Sequence, residues 1–199
     1  MMSRRVAIMG GTFDPIHMAH LLIAEEARRQ FELDEVVFMP TNLPPIPKHD
    51  ILLPEDRVEM VKLAIEGNQH FTVSTIEIDR EGPSYSYDTV LALKTEQPSV
   101  EQIYFLTGAD AVLGLPQWRN YEELLSECVF IAATRPGFDL ESLRTTMPAA
   151  LARRVVFLPI PGLEISSTDI RTRIKEGRNI RYLTPDAVVG YIQSNKLYR

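Results

Sequence analysis

Short apolar runs alternate along the chain with longer segments in which apolar residues recur at helical spacing. The short runs predict buried β-strands at residues 4–9, 35–39, 71–78, 102–106, 128–133 and 155–158. The longer segments predict amphipathic helices at residues 18–31, 55–66, 86–95, 121–125, part of 140–153, 169–175 and 186–194. Because strand and helix alternate throughout, the pattern predicts the α/β class, with a Rossmann-like, doubly wound parallel sheet.

The organisation of the chain indicates a single domain. Its 199 residues are 45% hydrophobic and 24% charged, close to the average of globular proteins. No fixed-period repeat and no low-complexity linker divides the chain, so we expect one domain over residues 1–199. The proline-rich segment 41–54 cannot form regular structure and is predicted to be a long loop.

Charge and cysteine content exclude several classes of protein. With 21 basic and 27 acidic residues, the net charge of −6 argues against coating nucleic acid or an anionic membrane, although a local basic pocket stays open. The single cysteine, Cys128, cannot form an internal disulfide, and its apolar surroundings predict a buried, inert thiol. No apolar run reaches the ~20 residues of a membrane span. We expect a cytoplasmic protein with small-molecule partners, and a homo-oligomer stays open.

The first predicted strand ends in a segment suited to binding phosphate. Gly10 and Gly11 are followed by residues 12–20, which read TFDPIHMAH. The glycines permit a tight turn and close approach of the backbone to a ligand, and the helix start that follows attracts anions. The segment is not a P-loop, because no Gly-Lys-Ser/Thr follows. It lacks the third glycine of the dinucleotide fingerprint, which disfavours a Rossmann dehydrogenase.

Two histidines sharpen this interpretation. His17 and His20 lie three residues apart at the predicted helix start, so they share a face. Zinc binding would need a third ligand and a different spacing, whereas phosphate binding needs only imidazole N–H donors beside the helix dipole. The alternative is that one histidine merely caps or packs. The position after a strand and two glycines favours phosphate binding.

A second candidate anion site occurs near the C-terminus. Residues 165–171 read ISSTDIR, a run of hydroxyl side chains that opens a helix. Arg171 lies one turn after Thr168, where it can reach an anion at the helix end. An ordinary N-cap followed by a surface arginine is the alternative. Together the two helix starts suit a triphosphate.

The two motifs resemble the HxGH and SSTxIR-type signatures of the nucleotidylyltransferase superfamily, and their order, spacing and flanking strand also match. Ala19 departs from the superfamily, which usually has glycine there, but alanine is the smallest change and the helix start should survive. Within the superfamily, the chain is most similar to bacterial nicotinate-nucleotide adenylyltransferases. This similarity rests on four further segments, PSYSYDT at 83–89, GAD at 108–110, PQW at 116–118 and TRPG at 134–137.

The loop at residues 44–49 departs from that family. It reads PPIPKH, where the family commonly has Pro-Pro-His-Lys. Lys48 is carried over as a phosphate contact, whereas His49 is given no role. A solvated turn is the alternative for this loop, although its place after the second strand favours a lid.

Two features fit a pyridine nucleotide as acceptor. Trp118 is the only tryptophan and could stack on a pyridine ring, worth about 1–3 kcal/mol by analogy with base stacking, or it could be a core residue. Residues 86–89 would open a helix whose backbone donors suit a carboxylate, which favours nicotinate over nicotinamide. Here the alternative is an N-cap with surface tyrosines.

The resemblance implies transfer of the adenylyl group of ATP to nicotinate mononucleotide, with release of pyrophosphate. It implies Mg²⁺ bound mainly by phosphate and water, without a protein metal cage. It assigns catalysis to His17, His20 and Arg171. It assigns ATP binding to Gly10, Gly11, Thr12, Phe13, His20, Gly108, Asp110, Ser166, Ser167, Thr168 and Arg171. It assigns mononucleotide binding to Thr12, Lys48, Ser86, Tyr87, Thr89, Trp118 and Arg135.

Asp110 would contact the ribose or help to place magnesium. Two other functions stay open at this point. One is a related transferase that uses nicotinamide mononucleotide or another phosphorylated acceptor, and the other is a nucleotide sensor without catalysis.

Overall fold

The computed structural model describes residues 4–44, 50–134, 137 and 147–199. Six parallel strands form one sheet in this part of the chain. They are β1 (Arg4–Gly11), β2 (Glu35–Pro40), β3 (Phe71–Val73), β4 (Val100–Gly108), β5 (Val129–Thr134) and β6 (Val155–Pro159). The predicted Rossmann-like α/β fold is therefore confirmed.

The order of the strands determines where a ligand can bind. It runs β3-β2-β1-β4-β5-β6, so the winding direction reverses between β1 and β4. These two strands pair in parallel, with Met9 opposite Leu106, and so Gly11 and Gly108 end at the same edge of the sheet. Ligands of such sheets bind in the crevice at the carboxyl ends of the strands, beside this switch point.

Helices cover both faces of the sheet. Along β1, Val6 and Ile8 pack into one apolar layer, and Ala7 and Met9 pack into the other. The first layer lies against α3 (Ser86–Glu96), α4 (Ala109–Val112), α5 (Tyr121–Glu127) and α6 (Ala149–Ala152). The second layer lies against α1 (Met18–Gln30), α2 (Pro54–Ile65), α7 (Ser167–Lys175) and α8 (Asp186–Ser194). Burial on both faces explains why the strands are continuous apolar runs in the sequence.

The strand predicted at residues 71–78 is too long. Pairing with β2 continues to the N–H of Ser74, which donates to the carbonyl of Phe38 (2.9 Å). The chain then turns, because the N–H groups of Ile78 and Asp79 both donate to the carbonyl of Thr75 (2.8 Å). The alternation in this segment therefore reflects one short strand followed by a turn.

The remaining differences concern short elements. The pattern missed α4 and a 3₁₀ turn at Leu115–Gln117, each less than two turns long. Of the helix predicted within residues 140–153, the described part contains α6, which begins after Pro148. Cys128 is fully buried, and burial raises the pKa of its thiol to about 12, which confirms the predicted inert thiol. No helix in the described ranges is long and apolar enough to cross a membrane.

The two glycines at the end of β1 differ in how much space surrounds them. A Cβ on Gly11 would lie 3.0 Å from the ring of Phe13, which is buried against Phe38 and cannot move freely. A Cβ on Gly10 would meet only the ring of Phe105, at an ordinary 3.6 Å. Gly11→Ala should therefore lower the free energy of unfolding by about 1–3 kcal/mol, measured by urea denaturation.

Gly10→Ala is the matched control. It adds the same methyl group one residue earlier and should leave the unfolding free energy within about 1 kcal/mol of the wild-type value. Equal losses in the two variants would contradict the proposed role of the Phe13 ring.

Candidate active site

Segment 12–17, which joins β1 to α1, lies at the centre of the site. Four of its carbonyl oxygens accept hydrogen bonds from side chains of other elements. Arg57 binds Thr12 (2.8 Å), Arg171 binds Asp14 (2.8 Å), Ser167 binds Pro15 (2.9 Å) and Thr184 binds Ile16 (2.7 Å). The C=O and N–H of a trans peptide point in opposite directions. The N–H of Phe13 therefore points away from Arg57 and from the protein interior in which Arg57 is buried.

Arg57 in α2 holds this segment from the interior. It is only 1% exposed, and its guanidinium also donates to the carbonyl oxygens of Thr41 (2.8 Å) and Leu52 (3.1 Å). Burial lowers the pKa of Arg57, and the nearby charge of Asp14 opposes that shift. The arginine thus ties the chain after β1 to the chain after β2. The sequence does not reveal the role of Arg57, because an arginine in the charged helix start PEDR is typical of a solvated surface.

The structure brings His17 and His20 together at the start of α1. His17 is the N-cap residue, and its N–H donates to Nδ1 of His20 (3.3 Å). The two rings stack, with centroids 3.7 Å apart and planes inclined by 22°. Since Nδ1 of His20 accepts a hydrogen bond, the neutral ring carries its proton on Nε2. His20 can thus offer an Nε2–H donor to a ligand.

Burial keeps both imidazoles uncharged near neutral pH. It lowers the pKa of His17 to about 4, and it lowers the pKa of His20 well below its usual value, with a further contribution from His17. Nδ1 of His17 is buried and has no hydrogen-bond partner among the described residues. The pair therefore resembles a set of neutral donors beside a helix N-terminus more than a charged anion trap.

The second predicted motif lies against the first. Ser166 caps α7 by accepting a hydrogen bond from the N–H of Asp169 (3.1 Å). Ser167 and Arg171 both reach segment 12–17, and the other terminal nitrogen of Arg171 lies 3.4 Å from the hydroxyl of Thr168. The alternative of an ordinary cap thus applies to Ser166, whereas Arg171 is not an isolated surface arginine. The fold joins the two helix starts that were predicted to bind anions, although they are about 150 residues apart in sequence.

Two of the segments predicted to bind the mononucleotide lie side by side. Ser86 and Tyr87 form the first turn of α3, and Tyr85 at the N-cap provides no side-chain cap for that turn. The guanidinium of Arg119 lies 4.6 Å above the ring of Tyr85, which places the segment containing Trp118 beside the start of α3. The helix start and the tryptophan therefore border one region.

Trp118 is partly a core residue and partly accessible for stacking. Its ring meets Phe105 (6.0 Å) and Phe130 (6.3 Å) edge to face, so one side belongs to the core. The residue is only half-buried, and this leaves part of the indole surface accessible.

The side chain of Thr89, which was predicted to bind the mononucleotide, lies in the interior. It is completely buried, and its hydroxyl donates to Oε1 of Glu77 (2.8 Å) and accepts a hydrogen bond from Arg80 (3.2 Å). Burial raises the pKa of Glu77, while the hydrogen bond from Thr89 opposes the shift. The side chain of Thr89 thus faces the interior and holds the start of α3 through Glu77. Sequence analysis missed Glu77, because the pattern placed it in a strand.

Other predicted site residues lie at the same edge of the sheet or outside the described residues. Gly108 ends β4, and Asp110 is exposed in the first turn of α4. Lys48 and Arg135 lie outside the described residues. Within residues 4–44, 50–134, 137 and 147–199, no group of three His, Cys, Asp or Glu side chains is placed to hold a metal ion.

The burial of Arg57 gives a prediction about stability. Arg57→Lys keeps the charge but loses the planar fork in which Nη1 donates to Thr12 and Thr41 while Nε donates to Leu52. We expect a loss of about 2–4 kcal/mol in the free energy of unfolding, measured by urea denaturation. Arg29→Lys, at an exposed position of α1, is the matched control and should change stability by less than about 0.5 kcal/mol. A loss no larger than that of the control would contradict the proposed role of Arg57.

The lowered pKa of His17 gives a prediction about pH. In the unfolded chain His17 takes up a proton near pH 6.5, whereas in the folded chain it does so only near pH 4. The contribution of neutral His17 to the free energy of unfolding is therefore complete above pH 6.5. It is lost as the pH falls toward 4, by about 3 kcal/mol in total.

The measurement compares urea denaturation of the wild type and His17→Gln at several pH values between 4 and 7. Carboxyl groups titrate in both proteins, so the difference between the two curves reports His17. The wild type should lose more stability than the variant as the pH falls. Parallel curves would show that His17 titrates normally.

Comparisons with known proteins identify the family of the chain. Residues 8–173 match the family model described as Cytidylyltransferase-like. The chain is 49% identical to a "Probable nicotinate-nucleotide adenylyltransferase" of Moorella thermoacetica, over 98% of this chain and 92% of the relative. It is 48% identical to a protein of the same name from Desulfitobacterium hafniense, over 98% of this chain and 96% of the relative.

A solved structure shares the fold. It is described as "Plasmodium falciparum nicotinic acid mononucleotide adenylyltransferase complexed with APC" and superposes with a TM-score of 0.79 at 22% identity, covering 98% of this chain and 97% of that chain. At this identity the likeness shows the fold alone. The sequence relatives cover almost the whole chain at far higher identity, and the chain therefore belongs to the nicotinate-nucleotide adenylyltransferases, within the cytidylyltransferase-like family.

Proposed function

We propose that the protein transfers the adenylyl group of ATP to nicotinate mononucleotide and releases pyrophosphate, a step of NAD biosynthesis. The observation that carries this proposal is the junction of two anion-binding helix starts. Ser167 and Arg171 of α7 bind the carbonyl oxygens of Pro15 and Asp14, directly before α1 and beside the switch point of the sheet. A chain of three phosphates can span two such adjacent helix starts.

The chemistry is an in-line displacement. An oxygen of the mononucleotide phosphate attacks the α-phosphorus of ATP, the bond from that phosphorus to the bridging oxygen of the β-phosphate breaks, and pyrophosphate leaves with the electron pair. The attacking phosphate already carries negative charge near pH 7, so it needs no general base. Catalysis then depends on positioning and on stabilising the charge that develops on the phosphates.

The proposal assigns each part of the site a role. The Nε2–H of His20 would donate to the α- or β-phosphate, with His17 beside it. The N–H groups of Thr12 and Phe13 would face the reacting phosphates. Ser166, Ser167, Thr168 and Arg171 would hold the leaving pyrophosphate, in part through the N–H groups at the start of α7. Because the imidazoles are neutral, Arg171 would supply the principal positive charge among these residues.

Magnesium would enter with ATP. The described site offers neutral imidazoles, hydroxyls, backbone donors and one arginine, a set that leaves the ion to phosphate oxygens and water. Mg²⁺ would neutralise charge on the phosphates. Asp110, exposed in the first turn of α4, would hold either a magnesium-bound water or the ribose.

The acceptor side would select the acid over the amide. The first turn of α3 presents backbone donors without acceptors, which suit a carboxylate but leave the NH₂ of an amide without a partner. The accessible part of Trp118 would stack on the pyridine ring. A cytoplasmic location, a single domain over residues 1–199 and small-molecule substrates complete the proposal, and the buried thiol of Cys128 is compatible with a reducing compartment.

The test is pyrophosphate release from Mg-ATP with nicotinate mononucleotide and, in parallel, with nicotinamide mononucleotide. We expect kcat/KM to be at least about tenfold higher with the acid, the value of roughly one well-placed polar contact. Release with both acceptors would retain the chemistry and refute the argument from α3. Binding of ATP without release would support a nucleotide sensor instead.

His20→Ala tests the assigned chemistry in the same assay. Removing one preorganised donor should lower kcat by about 100-fold or more. His70→Ala is the matched control, because His70 precedes β3 at the opposite edge of the sheet. Wild-type turnover in a folded His20→Ala protein would overturn the role of His20.

A further inference from the structure

The chain beyond α8 turns back toward the site. The N–H of Lys196 donates to the carbonyl of Gln193 (3.3 Å), and the N–H of Leu197 donates to the carbonyl of Ile192 (3.0 Å). Lys196 has a positive φ of 56°, so these bonds form a Schellman motif with lysine where glycine is usual. The motif ends the helix and reverses the chain, and Leu197 packs against the apolar layer that contains Ile192.

Tyr198 is then directed at segment 12–17. Its backbone has a φ of 62°, a conformation that bulky residues rarely adopt unless their surroundings impose it. Its hydroxyl donates to Oδ1 of Asp14 (2.7 Å), and Asp14 is only 4% exposed. Burial and the adjacent Asp14 raise the pKa of Tyr198, so its hydroxyl stays a donor at every relevant pH.

Asp14 is held from two sides. Tyr198 binds its carboxylate, and Arg171 donates from Nη1 to its backbone carbonyl (2.8 Å). Two arginines act electrostatically on Asp14 and Tyr198. The charge of Arg171 acts on Tyr198, and the charge of Arg57 acts on Asp14. Arg171 thus binds the backbone of the residue whose carboxylate accepts the hydrogen bond of an uncharged hydroxyl, and the charge of Arg57 acts on the same residue.

We infer that Tyr198 is a positioning residue for adenylyl transfer, which keeps the carboxylate of Asp14 from competing with the ATP phosphates for Arg171. This inference rests on the proposed function. The hydroxyl satisfies Oδ1 of Asp14 without using a positive charge. Without it, the buried carboxylate would take a guanidinium as its new partner, because a buried charge needs one. Arg171 would then be drawn away from the phosphates.

The test compares Tyr198→Phe with Tyr191→Phe. Tyr191 makes the same kind of bond, from its hydroxyl to Oδ1 of Asp56 in α2 (2.8 Å) instead of to Asp14. Binding of a non-hydrolysable ATP analogue is measured by calorimetry, together with KM for Mg-ATP. Tyr198→Phe should weaken analogue binding and raise KM by about tenfold, and Tyr191→Phe should leave both within about twofold.

A rescue separates this role from a general loosening of the fold. Asp14→Asn in the Tyr198→Phe background removes the charge that would attract Arg171, and it should restore most of the affinity for the analogue. Lack of rescue, or equal losses in Tyr198→Phe and Tyr191→Phe, would overturn the inference. Thermal melts of all variants establish that each is folded.

The binding measurement also keeps the inference separate from the proposed function. It needs neither turnover nor an acceptor. A wild-type protein that binds the analogue but does not adenylylate nicotinate mononucleotide would refute the proposed function, and the comparison of Tyr198→Phe with Tyr191→Phe would still decide the role of Tyr198.

Discussion

Segment 12–17 can bind an anion only if its carbonyl oxygens are turned away from that anion. Arg57 of α2, Ser167 and Arg171 of α7, and Thr184 before α8 hold these oxygens from the side of the scaffold. Each carbonyl that is tied back directs the next N–H the other way, except before proline. The geometry of segment 12–17 thus depends on side chains from α2 and from the C-terminal part of the chain, which the fold brings to the end of β1.

The two arginines of this arrangement divide the work. Arg57 is buried and donates hydrogen bonds to the carbonyl oxygens of Thr12, Thr41 and Leu52, so it stabilises the crevice without entering it. Arg171 is only partly buried. Its Nη1 donates to the backbone carbonyl of Asp14, and this bond fixes the direction of the guanidinium. Neutral, stacked histidines complete the set. Under the proposed function, such a site would bind phosphates mainly with oriented dipoles, which need little rearrangement during the reaction.

The start of α3 and Trp118, where the acceptor is proposed to bind, are also held from the interior. The first turn of α3 is held from the interior by the chain of hydrogen bonds from Arg80 to Thr89 to Glu77, and Trp118 is held edge to face by Phe105 and Phe130. Thr89 matches the family motif and yet faces the interior. Within this segment, Thr89 therefore supports the start of α3 from the interior.

The sequence by itself determined the alternating elements, the parallel sheet and the two helix-start motifs, because apolar periodicity and local helix starts are properties of neighbouring residues. It did not reveal Arg57, Glu77 or Tyr198, whose partners lie far away in the chain. A charged residue at a helix start or a tyrosine near a terminus has the same local pattern whether it is solvated or buried. Only the tertiary structure decided which of these groups are buried and which carbonyl or carboxylate each one binds, because desolvation and long-range hydrogen bonds arise only when the sheet has assembled.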